Sequence, residues 1–156
     1  MKTEYIKPFI QASRMVFKSL FCIDTEIGRV YMKPSPYFSN SVLIIIGVVG
    51  GFKGQIYFEM TEETAKAISN KMMGGMEFTE FNDICKSAVS EMGNMVMGNA
   101  STLFSKDEIH IDITPPTLIT GQKIEISNKM AAVVVPFSLQ ELGVLNLNIA
   151  VEGEDI

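Results

Sequence analysis

Apolar positions along the chain switch between two periods, and the switches mark its elements. Residues 4–21 place Ile6, Phe9, Ile10, Phe17 and Leu20 near a spacing of three to four. Thr3 is positioned as an N-cap and Pro8 falls close to the first turn, where a missing N–H costs least, so this segment predicts an amphipathic helix. Ile23 to Lys33, with Ile27, Val30 and Tyr31, predicts one strand ending at Pro34 and Pro36. Ser41 to Val49 is rich in β-branched residues and too short for a core helix. Gly50-Gly51 and then Phe52 to Met60 complete a hairpin around a glycine turn.

Period 3.6 then returns. Thr61 as N-cap, Glu62 and Glu63 at the positive end of the helix dipole, and Gly74-Gly75 as a C-cap predict a helix over 62–73. Thr79 offers the next cap, and from Glu80 to about Phe104 no proline interrupts the longest helix. Afterwards Glu108–Thr114 alternates, Pro115-Pro116 break the pattern, and Lys123–Ser127, Ala131–Ser138 and Gly143–Val151 read as strands. The acidic tail Glu152-Gly153-Glu154-Asp155 is expected to fray. Short turns join the later strands, so their pairs should be antiparallel. The class is α+β, with helices layered on a mostly antiparallel sheet, in one domain spanning 1–156.

Composition narrows the function classes. At 156 residues with 47% hydrophobic and 20% charged residues, the chain can bury a core without a metal or disulfide staple. Its formal charge of −5 argues against nonspecific nucleic-acid binding. Cys22 and Cys85 are far apart, with no further Cys or His at metal-ligand spacing, which argues for a reducing compartment and against a zinc site. No secretory signal is visible, and the longest apolar run, Val42 to Val49, is far short of the roughly 20 residues a membrane helix needs. These features predict a cytoplasmic protein.

One constellation carries chemistry, and it lies on the long helix. On a wheel, Phe81, Ile84, Ala88, Met92, Met95, Val96 and Leu103 gather on the side expected to face the core. Beside them runs a narrow stripe of Ser87, Glu91, Asn94, Gly98, Ser101 and Ser105, spaced by three or four residues so that the side chains are neighbours. A generic solvated face would be studded with Lys and Glu. This one is small and polar with one carboxylate, which suits either a docking surface or an ordinary serine-biased surface helix.

Other candidates read as structural. Asn99 lies near the middle of the apolar face and is expected as a buried amide bonded to backbone of a neighbouring loop. His110, the one histidine, sits in an alternating strand with no acid–base or metal partner at useful spacing. Cys85 behaves as a small hydrophobe, and the methionines around the two helices are adaptable core filler, with Met97 a candidate for a partner surface. Gly50, Gly51 and Gly54 make no phosphate loop, because no Lys-Ser/Thr follows and no helix opens there.

Ser87-x3-Glu91-x2-Asn94, with Pro116 twenty-two positions after the Asn, resembles the signature of the CheC/CheX/FliY family of chemotaxis phosphatases. The run Glu91 to Ala100, the opening Glu4 to Ile10 and the stretch Pro116 to Gly121 resemble CheX-type sequences, so the likeness spans nearly the whole chain. The first helix reads Phe9-Ile10-Gln11-Ala12-Ser13 where a second copy of the motif would lie, which resembles CheX more than CheC and implies one active site per subunit.

The resemblance implies a CheC-like fold and removal of the phosphoryl group from the aspartyl phosphate of a CheY-type response regulator. Catalysis would rest on Glu91 and Asn94, and Ser87, Gly98 and Ser101 would face the partner. The stripe could not hydrolyse a phosphate unaided: a carboxamide is no general base at neutral pH, and no Lys or Arg joins it. The implied chemistry works if the receiver supplies Mg²⁺ and a lysine, so that this protein brings no cofactor of its own. Asn94 then positions the water and Glu91 accepts from the receiver lysine. The family also implies a homodimer, for which Ala131–Pro136 is the expected unpaired edge. Two other readings stay open. One is a non-enzymatic module of the same fold that binds a receiver or a flagellar-switch component; the other, a small-ligand sensor, rests only on the α+β shape.

Overall fold

The computed structural model describes residues 3–152, so the acidic tail from Gly153 onward lies outside the described residues. Helix α1 (Thr3–Phe21) buries Phe9, Ala12, Ser13, Val16, Phe17 and Phe21 along one stripe. Thr3 opens the described helix instead of standing outside it as a cap, and Pro8 is buried within. Two short strands follow, β1 (Glu26–Ile27) and β2 (Tyr31–Lys33), where the sequence predicts a single one. Both pair with β7 (Ala132–Ser138), and the break between them faces Val135 and Pro136. Pro136 has no N–H to give a flanking strand, so the ladder cannot run through it. Gly28 N–H instead donates to the Pro136 carbonyl, 2.9 Å away.

The hairpin expected over 41–60 is present as β3 (Tyr37–Gly50) and β4 (Gly54–Met60), in register from Val42↔Met60 to Val48↔Gly54. β3 begins earlier than its apolar run because its first half pairs with β6 (Thr117–Ile126), and a bulge lies between Ser39 and Ser41. The other end of β3 pairs with β5 (Ile111–Ile113). β8 (Val144–Val151) lies between β4 and β7, giving an antiparallel eight-stranded sheet in the order β1/β2–β7–β8–β4–β3–β5/β6.

The order corrects the expected edge. β7 has β8 on one side and β1 and β2 on the other, and Ala132 to Val135 are all buried, which is what a near-continuous Val run fits. The sheet ends on the short β2 and on the ten-residue β6 instead.

Three helices cover one face. α2 (Glu62–Met72) is capped by Thr61, whose hydroxyl accepts from Thr64 N–H. It closes with Gly74 in the left-handed region, so that Gly75 N–H reaches the Asn70 carbonyl at 2.8 Å. α3 (Asp83–Lys106) packs along α1 and onto the sheet. The core between layers is aromatic near the far end of α3, where Phe104 meets Phe9 and Phe52 edge-on at centroid distances of 5.2 and 5.0 Å. A smaller apolar cluster of Tyr37, Leu43, Tyr57, Ala132 and Ala150 lies on the opposite side of the sheet. Among the described residues, no helix is long and apolar enough to cross a membrane.

Candidate functional site

The site is built on α3, whose start differs from the expected one. Thr79 does not cap it. Asn82 does, extended at φ −85°, with its side-chain oxygen accepting from Cys85 N–H at 3.0 Å. An amide at 82 lies at the right distance from the first free N–H groups, while residues 80–82 form a tight turn closed by Asn82 N–H on the Glu80 carbonyl. Ser69 of α2 fastens this end. Its hydroxyl lies 2.9 Å from the Ala65 carbonyl and 3.1 Å from the Cys85 carbonyl.

α3 buries Cys85, Ala88, Val89, Met92, Gly93, Val96, Met97, Ala100 and Phe104. The expected core face is therefore rotated toward smaller residues. Ala88, Met92 and Val96 are inside as expected, but Phe81 precedes the helix, Met95 and Leu103 are half-buried, and Ile84 is 51% exposed. Met97 is fully buried and offers no partner surface. Close approach explains the rotation: a Cβ on Gly93 would lie 3.4 Å from Ile44 and 3.5 Å from the Phe58 ring. Where a helix backbone comes this near the side chains of the sheet, small residues mark the contact line and a wheel weighted by bulk misses it.

The polar stripe stands clear of the sheet. Ser87, Glu91, Gly98 and Ser105 are exposed, and Asn94 and Ser101 are half-buried. Glu91 and Asn94 project from neighbouring positions on one helix face, roughly 5–6 Å apart at Cβ by helix geometry. Neither side chain hydrogen-bonds or ion-pairs to another described residue, so the carboxylate and the amide are both uncommitted. A Cβ on Gly98 would meet nothing within 4 Å, which leaves the ridge open one turn beyond Asn94. Ser101 is less free, since its hydroxyl lies 3.4 Å from the Ile111 carbonyl at the seam with β5.

The residues set aside also have defined places. Asn99 is half-buried, and its amide donates to the Met95 carbonyl of its own helix at 2.8 Å instead of to a loop. His110 is exposed and precedes β5, and its carbonyl accepts from Gly51 N–H. Cys85 is buried as expected, whereas Met73 and Met76 are surface residues, 41% and 55% exposed, not filler. No group of three or more His, Cys, Asp or Glu among the described residues could hold a metal ion.

Residues 42–138 match the family model for the chemotaxis phosphatase CheX. The CheY-P phosphatase CheX of Thermotoga maritima is 31% identical over 153 residues, covering 98% of this chain and 99% of the relative. Among solved structures, a CheC-like superfamily protein from Shewanella sp. PV-4 superposes with a TM-score of 0.86 at 26% identity, over 98% of this chain and all of that one. The CheX of a CheX–CheY–BeF₃–Mg²⁺ complex from Borrelia burgdorferi matches at TM-score 0.81 and 33% identity, over 96% of this chain and 98% of that one. With the full-length likeness, the shared fold and the exposed Glu-x-x-Asn ridge in place, this chain belongs to the CheX family of chemotaxis phosphatases.

Proposed function

We propose that this protein hydrolyses the aspartyl phosphate of a CheY-type response regulator by adding Asn94 and Glu91 to a reaction centre that the regulator half builds. The observation that carries the reading is an amide and a carboxylate one turn apart on an open helical ridge, with no side-chain partner among the described residues. A side chain held by its own fold would have to break bonds to work on another molecule. These two are free to do so.

The phosphorylated receiver holds Mg²⁺ and a lysine against its phosphoryl group, so the metal belongs to the partner. What is missing is a water placed in line. The Asn94 carbonyl oxygen accepts from that water while its NH₂ donates to a phosphoryl oxygen. Glu91 takes a charge-assisted bond from the receiver lysine and fixes the register. As the water oxygen bonds to phosphorus, the P–O bond to the aspartate breaks, releasing inorganic phosphate and a free carboxylate, and the water proton passes to solvent. Such a transfer depends on positioning and electrostatics more than on covalent chemistry, and an amide orients the attacking water comparably in GTPases. Ser87 and Gly98 flank the pair and admit the partner surface, with Ser101 at its margin.

The relatives support the partner class. One is named a CheY-P phosphatase, and another is seen in a complex with CheY, beryllofluoride (a tetrahedral stand-in for phosphoryl) and Mg²⁺. Free cysteines and the absence of a long apolar helix among the described residues fit the cytoplasm, where such receivers act. A homodimer belongs to the same proposal. It is supported by the sheet ending on β2, where Tyr31 and Met32 are exposed and Val30 is exposed just before them, and on the long β6. Light scattering at twice the 17.3 kDa chain mass checks it.

The test follows decay of phosphorylated receiver with and without the protein. Asn94→Ala should lose roughly one to four orders of magnitude of the acceleration while receiver binding persists, and Glu91→Ala should weaken binding as well. An Asn94→Ala protein as fast as wild type overturns the roles. Binding without any acceleration by wild type would favour the non-enzymatic module.

A further inference from the structure

Beside the ridge, the end of α2 and the first turns of α3 enclose an open groove of about 490 Å³. Its apolar wall is Met72, Met73, Ile84 and Ala88, and its polar members are Asp83, Ser87 and Glu91. Ile84, Ser87, Ala88 and Glu91 follow the i, i+3, i+4, i+7 spacing of one helix face. Ile84 is 51% and Met73 41% exposed, although both are bulky apolar residues beside a fully formed core. No described residue covers their exposed parts.

Resting on the phosphatase reading above, we propose that this groove receives an apolar side chain of the receiver next to its phosphorylation site, with Met73 and Ile84 as specificity-determining residues. Continuity decides the occupant. Glu91 and Ser87 belong to both the ridge and the groove, so a partner that brings a phosphoryl group to Asn94 passes over Glu91 and covers the groove. A second copy seated there would block the ridge. Charge points the same way, since Asp83 and Glu91 stand about 12 Å apart along the helix on either side of the apolar wall. A complementary surface carries an apolar residue with a cation beside it, and the receiver lysine paired with Glu91 supplies that cation.

The test uses the whole protein, wild type and variant, with CheY-type receivers of the same organism charged with beryllofluoride and Mg²⁺. Ile84 occupies the first turn of α3, where an acid suits the helix dipole, so Ile84→Asp should keep the fold. Burying the exposed half of Ile84 is worth about fivefold in affinity, so Ile84→Ala should raise Kd roughly fivefold. Ile84→Asp and Met73→Asp should raise it about tenfold or more. In receiver-phosphate decay the same variants should raise KM with kcat within twofold of wild type, a split that general damage to α3 would not produce. Unchanged Kd in both Asp variants overturns the proposal, and so does a change in the mass of the free protein with Kd unaffected. Wild-type protein that binds but does not hydrolyse defeats the phosphatase reading alone, leaving the groove to the binding comparison. Wild-type protein that binds no receiver defeats both.

Discussion

Gly98→Ala separates what the ridge costs the fold from what it gives the function. Gly98 lies well inside α3, exposed, with its carbonyl accepting from the Thr102 hydroxyl at 3.2 Å. A glycine inside a helix is about 0.8–1 kcal/mol less favourable than alanine. The added methyl would meet nothing within 4 Å, so no packing penalty offsets the gain. For a chain of this length, about 1 kcal/mol raises Tm by roughly 2–4 °C. If the partner surface sits on the ridge one turn beyond Asn94, the same methyl intrudes on the complex. Overpacking of that kind costs about 1–3 kcal/mol, a loss of roughly five- to 150-fold in kcat/KM. The assay pairs a thermal melt with receiver-phosphate decay on the same preparation. A higher Tm with unchanged activity would show that the open space at 98 is not used by the partner. A lower Tm would refute the helix argument itself.

Two further predictions concern the frame that holds the site. Asn82→Ala removes the cap of α3 and should cost about 1 kcal/mol, a Tm loss of roughly 2–4 °C, while Asn82→Asp or Asn82→Ser should restore most of it; equal melts for all four proteins would refute the cap. Burial, with the neighbouring Tyr57 hydroxyl adding to it, pushes the Tyr37 phenol above the usual tyrosine range. The unfolded chain ionises this group near pH 10 while the fold keeps it neutral, so its contribution is complete below pH 10 and lost as pH rises beyond it. Tyr37→Phe should match wild type within about 0.5 kcal/mol at pH 8 and lose less stability by pH 11, as read by urea denaturation; parallel losses would refute the assignment.

Much of the fold is written in local pattern, and the misreadings share one cause: tertiary neighbours that leave no local trace. The 41–60 hairpin and the 62–73 helix are legible because turn glycines, a threonine cap and a change of period coincide in the sequence. The splitting of 23–33 into β1 and β2 is set by Pro136, more than a hundred residues away. Likewise β7 reads as an edge only while its partners on both sides are unknown. On α3 the helix period alone puts Glu91 and Asn94 on one face, where Glu91 is exposed and Asn94 half-buried. Ile84 and Met73 are misplaced because their exposure depends on how α2 ends beside α3.

That dependence bears on how Asn94 would work under the proposed mechanism. A group that orients a single water must hold its place to within a fraction of an ångström, and a displacement of about 1 Å can cost a hundredfold. A loop would leave that precision to hydrogen bonds, and the Asn94 side chain makes none to another described residue. Its position is instead inherited from the opposite side of the same turns. Met92, Gly93, Val96 and Met97 are buried around it in sequence, and Gly93 brings the helix axis against Ile44 and Phe58 of the central hairpin. Ser69 ties the first turns of α3 to α2, and the Phe9–Phe52–Phe104 cluster anchors its last turns. Rigidity is supplied by the core, and chemical freedom by the absence of polar partners on the ridge. The glycines at 93 and 98 mark the two sides of this arrangement: the first lets the helix approach the sheet, and the second leaves the ridge open one turn beyond Asn94.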